Sequence, residues 1–163
     1  FHCSRSLQRV IKKGLFDVTL NQAFPEVIRA CGATPRPGQD GTWITPEMEA
    51  AYIDLHEAGH AMSIECWAEG ALAGGLYGVA LGGCFFGESM FSHRSNASKV
   101  AAHALVTAAR EWGLSLIDCQ VANPHLERLG AREISRAVFM KRLEAGLRVT
   151  LAPHAWKRLP DQL

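Results

Sequence analysis

The chain has 163 residues, 48% of them hydrophobic, and its formal net charge is +1. A chain of this length buries one sizeable core, so we expect a single domain over residues 1–163. The near-neutral charge excludes recognition of nucleic acid by bulk charge and leaves only local basic patches for that role. No apolar run approaches the roughly 18 to 20 residues of a membrane span and no signal peptide is recognisable, which predicts a cytoplasmic protein that does not engage a membrane.

The first half of the chain combines helix signals with one strand. Capping side chains, prolines in first turns and glycines at helix ends set the expected bounds. The predicted elements are, in order, a basic helix from Ser4 or Ser6 to about Lys13, a strand over Phe16–Leu20, a helix capped by Asn21 and running to about Cys31, a loop over Gly32–Gly41, and a helix from Thr45 to Gly59.

The second half begins with three apolar runs separated by two short glycine turns, a pattern typical of an antiparallel meander. These runs are Ala61–Ala68, Leu72–Leu81 and Cys84–Met90, with turns at Glu69-Gly70 and Gly82-Gly83. After them we expect a helix capped by Ser95 or Asn96 and ending at Trp112, a strand over Leu114–Cys119, a helix from Pro124 to Leu129, and a last helix from Ser135 to about Gly146. This order of elements predicts an α+β sandwich.

The segment His56-Glu57-Ala58-Gly59-His60 matches the H-E-x-x-H pattern of zinc proteases. Gly59 stands where a helix is expected to end, so His60 leaves the helical face on which both histidines must lie. We therefore predict no metal site, and a zinc protease is kept as an alternative of another class.

Glu88 lies in an apolar, strand-like run, Gly87–Ser92. A buried carboxylate is costly unless another group pairs with it or uses it. Strand alternation predicts Glu88 and Met90 on one face, with Ser89 and Phe91 on the other. Glu88 then either lines a cavity or reaches solvent at the sheet edge.

Asp118 and Gln120 interrupt a second apolar run, and alternation predicts them on one strand face with Ile117 and Cys119 opposite. An Asp two residues from a Gln can orient the amide or accept a proton. An amine that attacks an ester must be neutral, so a carboxylate can take its proton while an amide donor supports the oxyanion. The alternative is a strand-end Asp that accepts from backbone N–H groups.

The segment Ser95-Asn96-Ala97-Ser98-Lys99 offers capping side chains, free backbone N–H groups and a lysine at a helix start. It predicts either an anion-binding site or a plain helix cap.

Together these segments resemble the leucyl/phenylalanyl-tRNA–protein transferase family. The matching motifs run through nearly the whole chain and include Gly41–Thr45, Leu55–His60, Ser63–Glu65, Gly74–Ala80, Gly87–Ser92, Asn96–Lys99 and Leu116–Gln120. The resemblance implies an acyl-CoA N-acyltransferase-like (GNAT-like) fold, with a mixed, largely antiparallel sheet flanked by helices. It also implies that the family's His-Glu-x-Gly-His pentapeptide has no zinc role.

The resemblance further implies transfer of Leu or Phe, with Met as a further donor, from aminoacyl-tRNA to proteins with N-terminal Arg or Lys. The new peptide bond marks these proteins for N-end-rule degradation, and no cofactor is used. By position, Asp118 is the proton acceptor or relay, Gln120 its orienting partner, and Glu88 the group that meets the cationic acceptor. The substrate-binding candidates are Trp43 near the adenosine, Leu76, Phe85, Met90 and Ile117 as apolar pocket walls, and Ser92, Asn96, Ser98 and Lys99 at the helix start.

Four cations in the first helix are the candidates for tRNA contact, namely Arg5, Arg9, Lys12 and Lys13. Three of them are spaced by four and three residues on one helical face. Such a face suits contact with phosphates without reading of the bases, and the alternative is a solvated charged face.

Members of the family have a further N-terminal domain beside the donor pocket, and this chain begins after it. We therefore expect a monomeric catalytic domain with weakened donor affinity. The alternatives are an acetyl-CoA-dependent N-acetyltransferase, which lacks support from a Q/R-x-x-G-x-G/A loop, and a non-catalytic RNA-binding remnant.

Overall fold

The computed structural model describes residues 1–35 and 41–161. Within these residues five strands form one sheet in the order β1-β2-β3-β4-β5. The strands are β1 (Asp17–Leu20), β2 (Ala61–Ala68), β3 (Ala71–Leu81), β4 (Cys84–Ser92) and β5 (Leu116–Asp118). The helices are α1 (Arg5–Lys12), α2 (Phe24–Ala33), α3 (Pro46–Glu57), α4 (Ala97–Trp112), α5 (Pro124–Arg128) and α6 (Arg136–Leu147).

The first four strands pair antiparallel, and β5 pairs parallel with β4. The β2–β3 turn uses Glu69 and Gly70, both in the left-handed region with φ of 53° and 76°, which matches the twist of a two-residue hairpin. The predicted meander and its turns are therefore confirmed, and so is the mixed, largely antiparallel α+β sheet.

Helices cover both faces of the sheet and create two apolar cores. The α4-side core is formed by α4 with the inward side chains of β2, β3 and β4, among them Ile64, Leu76 and Phe85. The α2–α3-side core lies on the opposite face and contains Phe24 and Tyr77. Successive strand residues alternate between these two cores, so a side chain's position along a strand decides which layer it meets.

A fully buried carboxylate holds the start of α2. Glu65 has no exposed surface and accepts hydrogen bonds from the hydroxyls of Thr19 and Ser63, both at 2.5 Å. The backbone N–H of Ala23, the residue that precedes α2, points to the same carboxylate at 3.5 Å. Since α2 has no side-chain cap of its own, Glu65 supplies a cap from the neighbouring strand.

The prediction that Asn21 caps this helix is wrong. Asn21 lies in the left-handed region with φ of 57°, and α2 begins three residues later at Phe24. Its side chain is engaged over long range instead: the carbonyl oxygen accepts from Ser63 N at 2.9 Å and the amide donates to Trp156 O at 2.9 Å.

The predicted end of α3 at the glycine is confirmed. The N–H of Gly59 donates to His56 O at 2.9 Å and that of His60 to Leu55 O at 2.8 Å, which is the Schellman pattern of a helix end. Gly59 has φ of 79° and redirects the chain into β2. His56 packs inward, where its ring stacks on Phe24 at 4.3 Å and its Nδ1 lies 2.7 Å from Ala61 O. Among residues 1–35 and 41–161 no group of three or more His, Cys, Asp or Glu side chains is placed to hold a metal ion.

Some predicted bounds shift. The helix α2 extends through the start of the loop predicted over Gly32–Gly41, and residues 36–40 of that loop lie outside the described residues. The strand β5 is three residues long and not six. No helix in the described part of the chain combines the length and apolarity needed to cross a membrane.

Candidate active site

The candidate site lies where the two parallel strands separate. β5 pairs only with Cys84–Phe86, and β4 continues for six residues beyond that pairing without β5 beside it. The opening between two such strands exposes backbone groups that a ligand or side chain can bond. Here the Gln120 side chain crosses the opening, and its Nε2 donates to Gly87 O at 3.2 Å.

Asp118 and Gln120 do not share a strand face, so that prediction is wrong. β5 ends at Asp118, and Gln120 lies beyond it in the left-handed region with φ of 61°. The two residues are joined differently, since the backbone N–H of Gln120 donates to Asp118 Oδ1 at 2.8 Å. This bond holds the turn in a conformation that is uncommon for a residue with a side chain, and the turn aims the amide at Gly87.

Glu88 and Met90 also lie on opposite faces, contrary to the prediction. In the β3–β4 pairing Gly87 faces Gly78 and Ser89 faces Tyr77, so Glu88 is the extra residue of a bulge. The bulge interrupts strand alternation. Met90 packs against the α4-side core, whereas Glu88 interacts with Tyr52 of the α2–α3-side core.

Tyr52 is a residue of the candidate site that the sequence did not single out for chemistry. Desolvation, the negative charge of Glu88 and a hydrogen bond to Glu88 raise the pKa of Tyr52 to about 12. Its ring packs edge-on against Tyr77 at 5.3 Å and near Trp43 at 6.1 Å. The helical spacing of Tyr52 in α3 indicates a core residue, and only the bulge reveals its carboxylate partner.

The four predicted pocket walls all belong to the α4-side core, but two of them are inaccessible. Leu76 is 4% exposed and Phe85 is 1% exposed, whereas Met90 and Ile117 are half-buried. Trp43, predicted to stack near the adenosine, is 43% exposed. It lies on the other side of the sheet from the four pocket walls, where it packs near Tyr52.

The residues predicted to bind substrate at the start of α4 mainly bond one another. Asn96 is the N-cap residue of α4, one of the two that were predicted, but it has φ of 72° and its side chain makes no capping hydrogen bond. Ser92 serves instead, since its Oγ accepts from Ser98 N at 3.3 Å. Lys99 Nζ donates to Asn96 Oδ1 at 3.2 Å. Beside them, burial and the nearby charges of Lys99 and Arg128 lower the pKa of His125, which marks a cationic region.

The cations of α1 are all exposed, and none of them forms an ion pair with another described residue. The helix is capped by Ser4, whose Oγ accepts from Leu7 N at 3.3 Å, and Leu7 is its buried anchor. The anchoring of Leu7 directs the basic side chains of α1 to solvent, where they are free to meet phosphates.

The sheet and its flanking helices form an N-acetyltransferase fold. A solved structure of a predicted acetyltransferase with acetyl-CoA from Clostridium acetobutylicum superposes with a TM-score of 0.55 at 10% identity, covering 74% of this chain and 92% of that chain. At this identity the likeness establishes the fold alone.

Sequence comparison identifies the family. A sequence model described as "Leucyl/phenylalanyl-tRNA protein transferase" matches residues 1–144. The protein named leucyl/phenylalanyl-tRNA–protein transferase from Oleidesulfovibrio alaskensis is 52% identical over 165 residues, which cover 98% of this chain and 66% of that protein. The protein of the same name from Anaeromyxobacter sp. strain Fw109-5 is 56% identical over 146 residues, covering 90% of this chain and 62% of that protein. The chain belongs to the leucyl/phenylalanyl-tRNA protein transferase family and spans just under two thirds of the length of these two relatives.

Proposed function

We propose that this chain is a single catalytic domain that transfers Leu or Phe, and also Met, from aminoacyl-tRNA to the N-terminal Arg or Lys of acceptor proteins. The observation that carries the proposal is the hydrogen-bonded link from Asp118 through Gln120 to Gly87, the residue before Glu88, where β4 and β5 separate in a chain of this family. The acceptor is then marked for N-end-rule degradation, and the domain acts as a cytoplasmic monomer.

In the proposed reaction the α-amino nitrogen of the acceptor attacks the carbonyl carbon of the aminoacyl ester. A C–N bond forms, the C–O bond to the terminal ribose breaks, and one proton passes from the amine to the ribose oxygen. One oxygen of Asp118 is bonded to Gln120 N, so the second is the proton acceptor and relay. The ester is already activated, so positioning and this proton transfer, worth about 10² to 10⁴-fold, are the main requirements and no cofactor is needed.

Gln120 contributes a donor for the developing oxyanion. A side-chain amide carries two N–H groups, and the bond to Gly87 O uses one of them. The second N–H then serves the oxyanion, and the bond to Gly87 keeps it in place before the substrate arrives. Glu88, on the neighbouring bulge, meets the cationic side chain of the acceptor, with Tyr52 orienting its carboxylate.

The donor is held by its two ends. The amino acid side chain enters the α4-side core beside Met90 and Ile117. An apolar pocket discriminates between side chains that differ by one methylene by only about 1 to 3 kcal/mol. A pocket of this kind tolerates Leu, Phe and Met together. The tRNA phosphates lie along α1, whose free cations supply contact that is independent of base sequence.

The test is transfer of radiolabelled leucine from leucyl-tRNA to peptides that differ only in their first residue, Arg or Glu. We expect transfer to the Arg peptide alone, and a loss of at least 10²-fold in kcat/KM in Asp118→Asn because the proton acceptor is removed. Asp17→Asn is the matched control, because Asp17 is exposed on β1 at the other edge of the sheet. Equal transfer to both peptides, full activity in Asp118→Asn, or no transfer by the parent would each contradict the proposal.

An acetyl-CoA-dependent acetyltransferase is the competing function, supported by the shared fold. Two N–H groups near the start of α4 are already engaged, with Ala97 N donating to Arg94 O and Ser98 N to Ser92 Oγ. A helix start that binds pyrophosphate needs such groups free. Acetylation of the Arg peptide from acetyl-CoA, in the absence of tRNA, would favour this alternative.

A further inference from the structure

Two glycines on the α4-side face of the sheet leave a patch of backbone that the Phe85 ring covers. Gly78 and Gly87 face each other across β3 and β4, next to the bulge, and neither has a side chain to fill the space above the sheet. By alternation Gly78 shares this face with Leu76 on one side and Ala80 on the other, both of them in the α4-side core. We call this space the glycine hollow. The hollow lies directly between Met90 and Phe85, two of the residues assigned to the donor pocket.

The ring of Phe85 leans over this hollow. A methyl group built on Gly78 would meet the backbone oxygen of Phe86 and approach Phe85 Cζ within 2.6 Å, and one built on Gly87 would approach the backbone oxygen of Asp118 within 3.5 Å and Phe85 Cε1 within 3.9 Å. Phe85 is the cross-strand neighbour of Ile117 on β5, and its ring extends to the other side, over Gly78 of β3. The depth of the hollow therefore depends on how the Phe85 ring is held.

Trp156 holds that ring from behind. The two rings are stacked with centroids 5.3 Å apart and planes 28° apart, and the indole also packs against Trp112 at 4.7 Å. Trp156 belongs to residues 149–160, which follow α6 and which we call the strap. Its carbonyl oxygen accepts from Asn21 Nδ2 at 2.9 Å, which ties the strap to the segment before α2.

The arrangement at Trp156 is costly for a residue with only a packing role. Trp156 has φ of 59°, a left-handed conformation that bulky residues rarely adopt. The indole N–H groups of Trp156 and Trp112 are both buried without a hydrogen-bond partner among the described residues. Costs of this kind persist in proteins chiefly where a site requires them.

We propose that Trp156 is a specificity-determining residue that sets the depth of the donor pocket through Phe85; the inference rests on the proposed function. With the indole in place, the Phe85 ring stays over Gly78 and Gly87, and the hollow is shallow. Without it, the ring turns into the vacated space and the hollow deepens. Removing the indole then favours larger donor side chains. A difference of one methylene in an apolar pocket changes the ratio of kcat/KM values about tenfold or more.

The experiment measures kcat/KM for leucyl-tRNA, phenylalanyl-tRNA and tryptophanyl-tRNA with the parent and with Trp156→Ala, Trp156→Leu and Trp156→Phe. We expect the Phe-to-Leu ratio to rise about tenfold in the Ala and Leu variants, with measurable Trp transfer, and to stay near the parent value in the Phe variant. The Leu variant keeps apolar bulk on the strap and replaces the Ala variant if that one melts too early to assay. His154→Ala is the matched control, because it removes the 3.2 Å contact with Glu111 from the same strap and leaves the stack intact.

A purely structural role would lower kcat/KM for all donors by one common factor. That result, or an equal change of the ratio in His154→Ala, would overturn the inference while leaving the proposed function intact. Failure of the parent to transfer either Leu or Phe would instead overturn the proposed function.

Discussion

Replacing Thr19 by Val tests how the buried Glu65 carboxylate is held. The change keeps the shape of the side chain and removes a hydroxyl that donates to Glu65 at 2.5 Å and accepts from Trp67 Nε1 at 2.8 Å. A lost hydrogen bond to a buried carboxylate costs about 1.5 to 3 kcal/mol. The lost acceptor of the indole N–H of Trp67 adds a cost of about 1 kcal/mol or less, because Trp67 is half-buried and water can replace part of the hydrogen bond. We expect a loss of about 2 to 4 kcal/mol in the free energy of unfolding.

Urea unfolding followed by fluorescence measures this change, and the melting temperature should fall by about 5 to 15 °C for a chain of this length. Thr19→Ser is the control, since it keeps the hydroxyl, and it should cost less than about 1 kcal/mol. In a Glu65→Gln background the cost of Thr19→Val should shrink, because a neutral amide oxygen accepts a weaker bond than a carboxylate. A loss below about 0.5 kcal/mol in Thr19→Val, or equal losses in the Val and Ser variants, would refute the role assigned to the Thr19 hydroxyl.

Three further outcomes are expected. The pKa of Tyr52 is raised from 10.0 to about 12, so its stabilising contribution is complete below pH 10 and is lost as the pH rises to 12. Tyr52→Phe should remove this alkaline decline in the free energy of unfolding, together with the tyrosinate absorbance step near pH 12. Gly146→Ala should destabilise the protein by about 1 to 2 kcal/mol in urea unfolding. A methyl group there would meet Cys84 Sγ and lie 2.7 Å from Ser115 Oγ. The cost of this overpacking exceeds the gain in helix propensity of about 1 kcal/mol. Arg9→Ala should weaken tRNA binding and reduce the slope of log K against log salt by about 0.9, whereas an unchanged slope would place the phosphates elsewhere.

Local signals in the sequence were enough to predict the meander and the end of α3. Gly70 and Gly59 adopt left-handed backbone conformations that few residues other than glycine adopt readily, so their positions indicate where the chain turns. The role of Asn21 could not be predicted in this way. Its side chain bonds Ser63 and Trp156, which are 42 and 135 residues away, and nothing in the neighbouring sequence reports such partners.

The two carboxylates that the sequence places in apolar runs are not the fully buried ones. Glu88 and Asp118 are both half-buried. Among the described residues the fully buried acid is Glu65, in a strand as apolar as theirs. A signal was available, because Ser63 stands two residues away and strand alternation brings its hydroxyl to the same face. Thr19 lies opposite Glu65 because of the register between β1 and β2, and the sequence near Glu65 does not reveal this pairing.

The bulge at Glu88 relates the two halves of the proposed reaction. Regular alternation would put Glu88 beside Met90 in the α4-side core, where a charged group would face the apolar donor side chain. The extra residue turns the carboxylate to the opposite face, next to Tyr52, while Met90 keeps its apolar place. Asp118 follows Ile117 on β5, and alternation likewise directs it away from the α4-side core. In the proposed reaction the donor side chain and the acceptor amine therefore approach from opposite faces of the sheet. They meet at the opening between β4 and β5 that Gln120 spans, so the apolar pocket is kept apart from the charged groups.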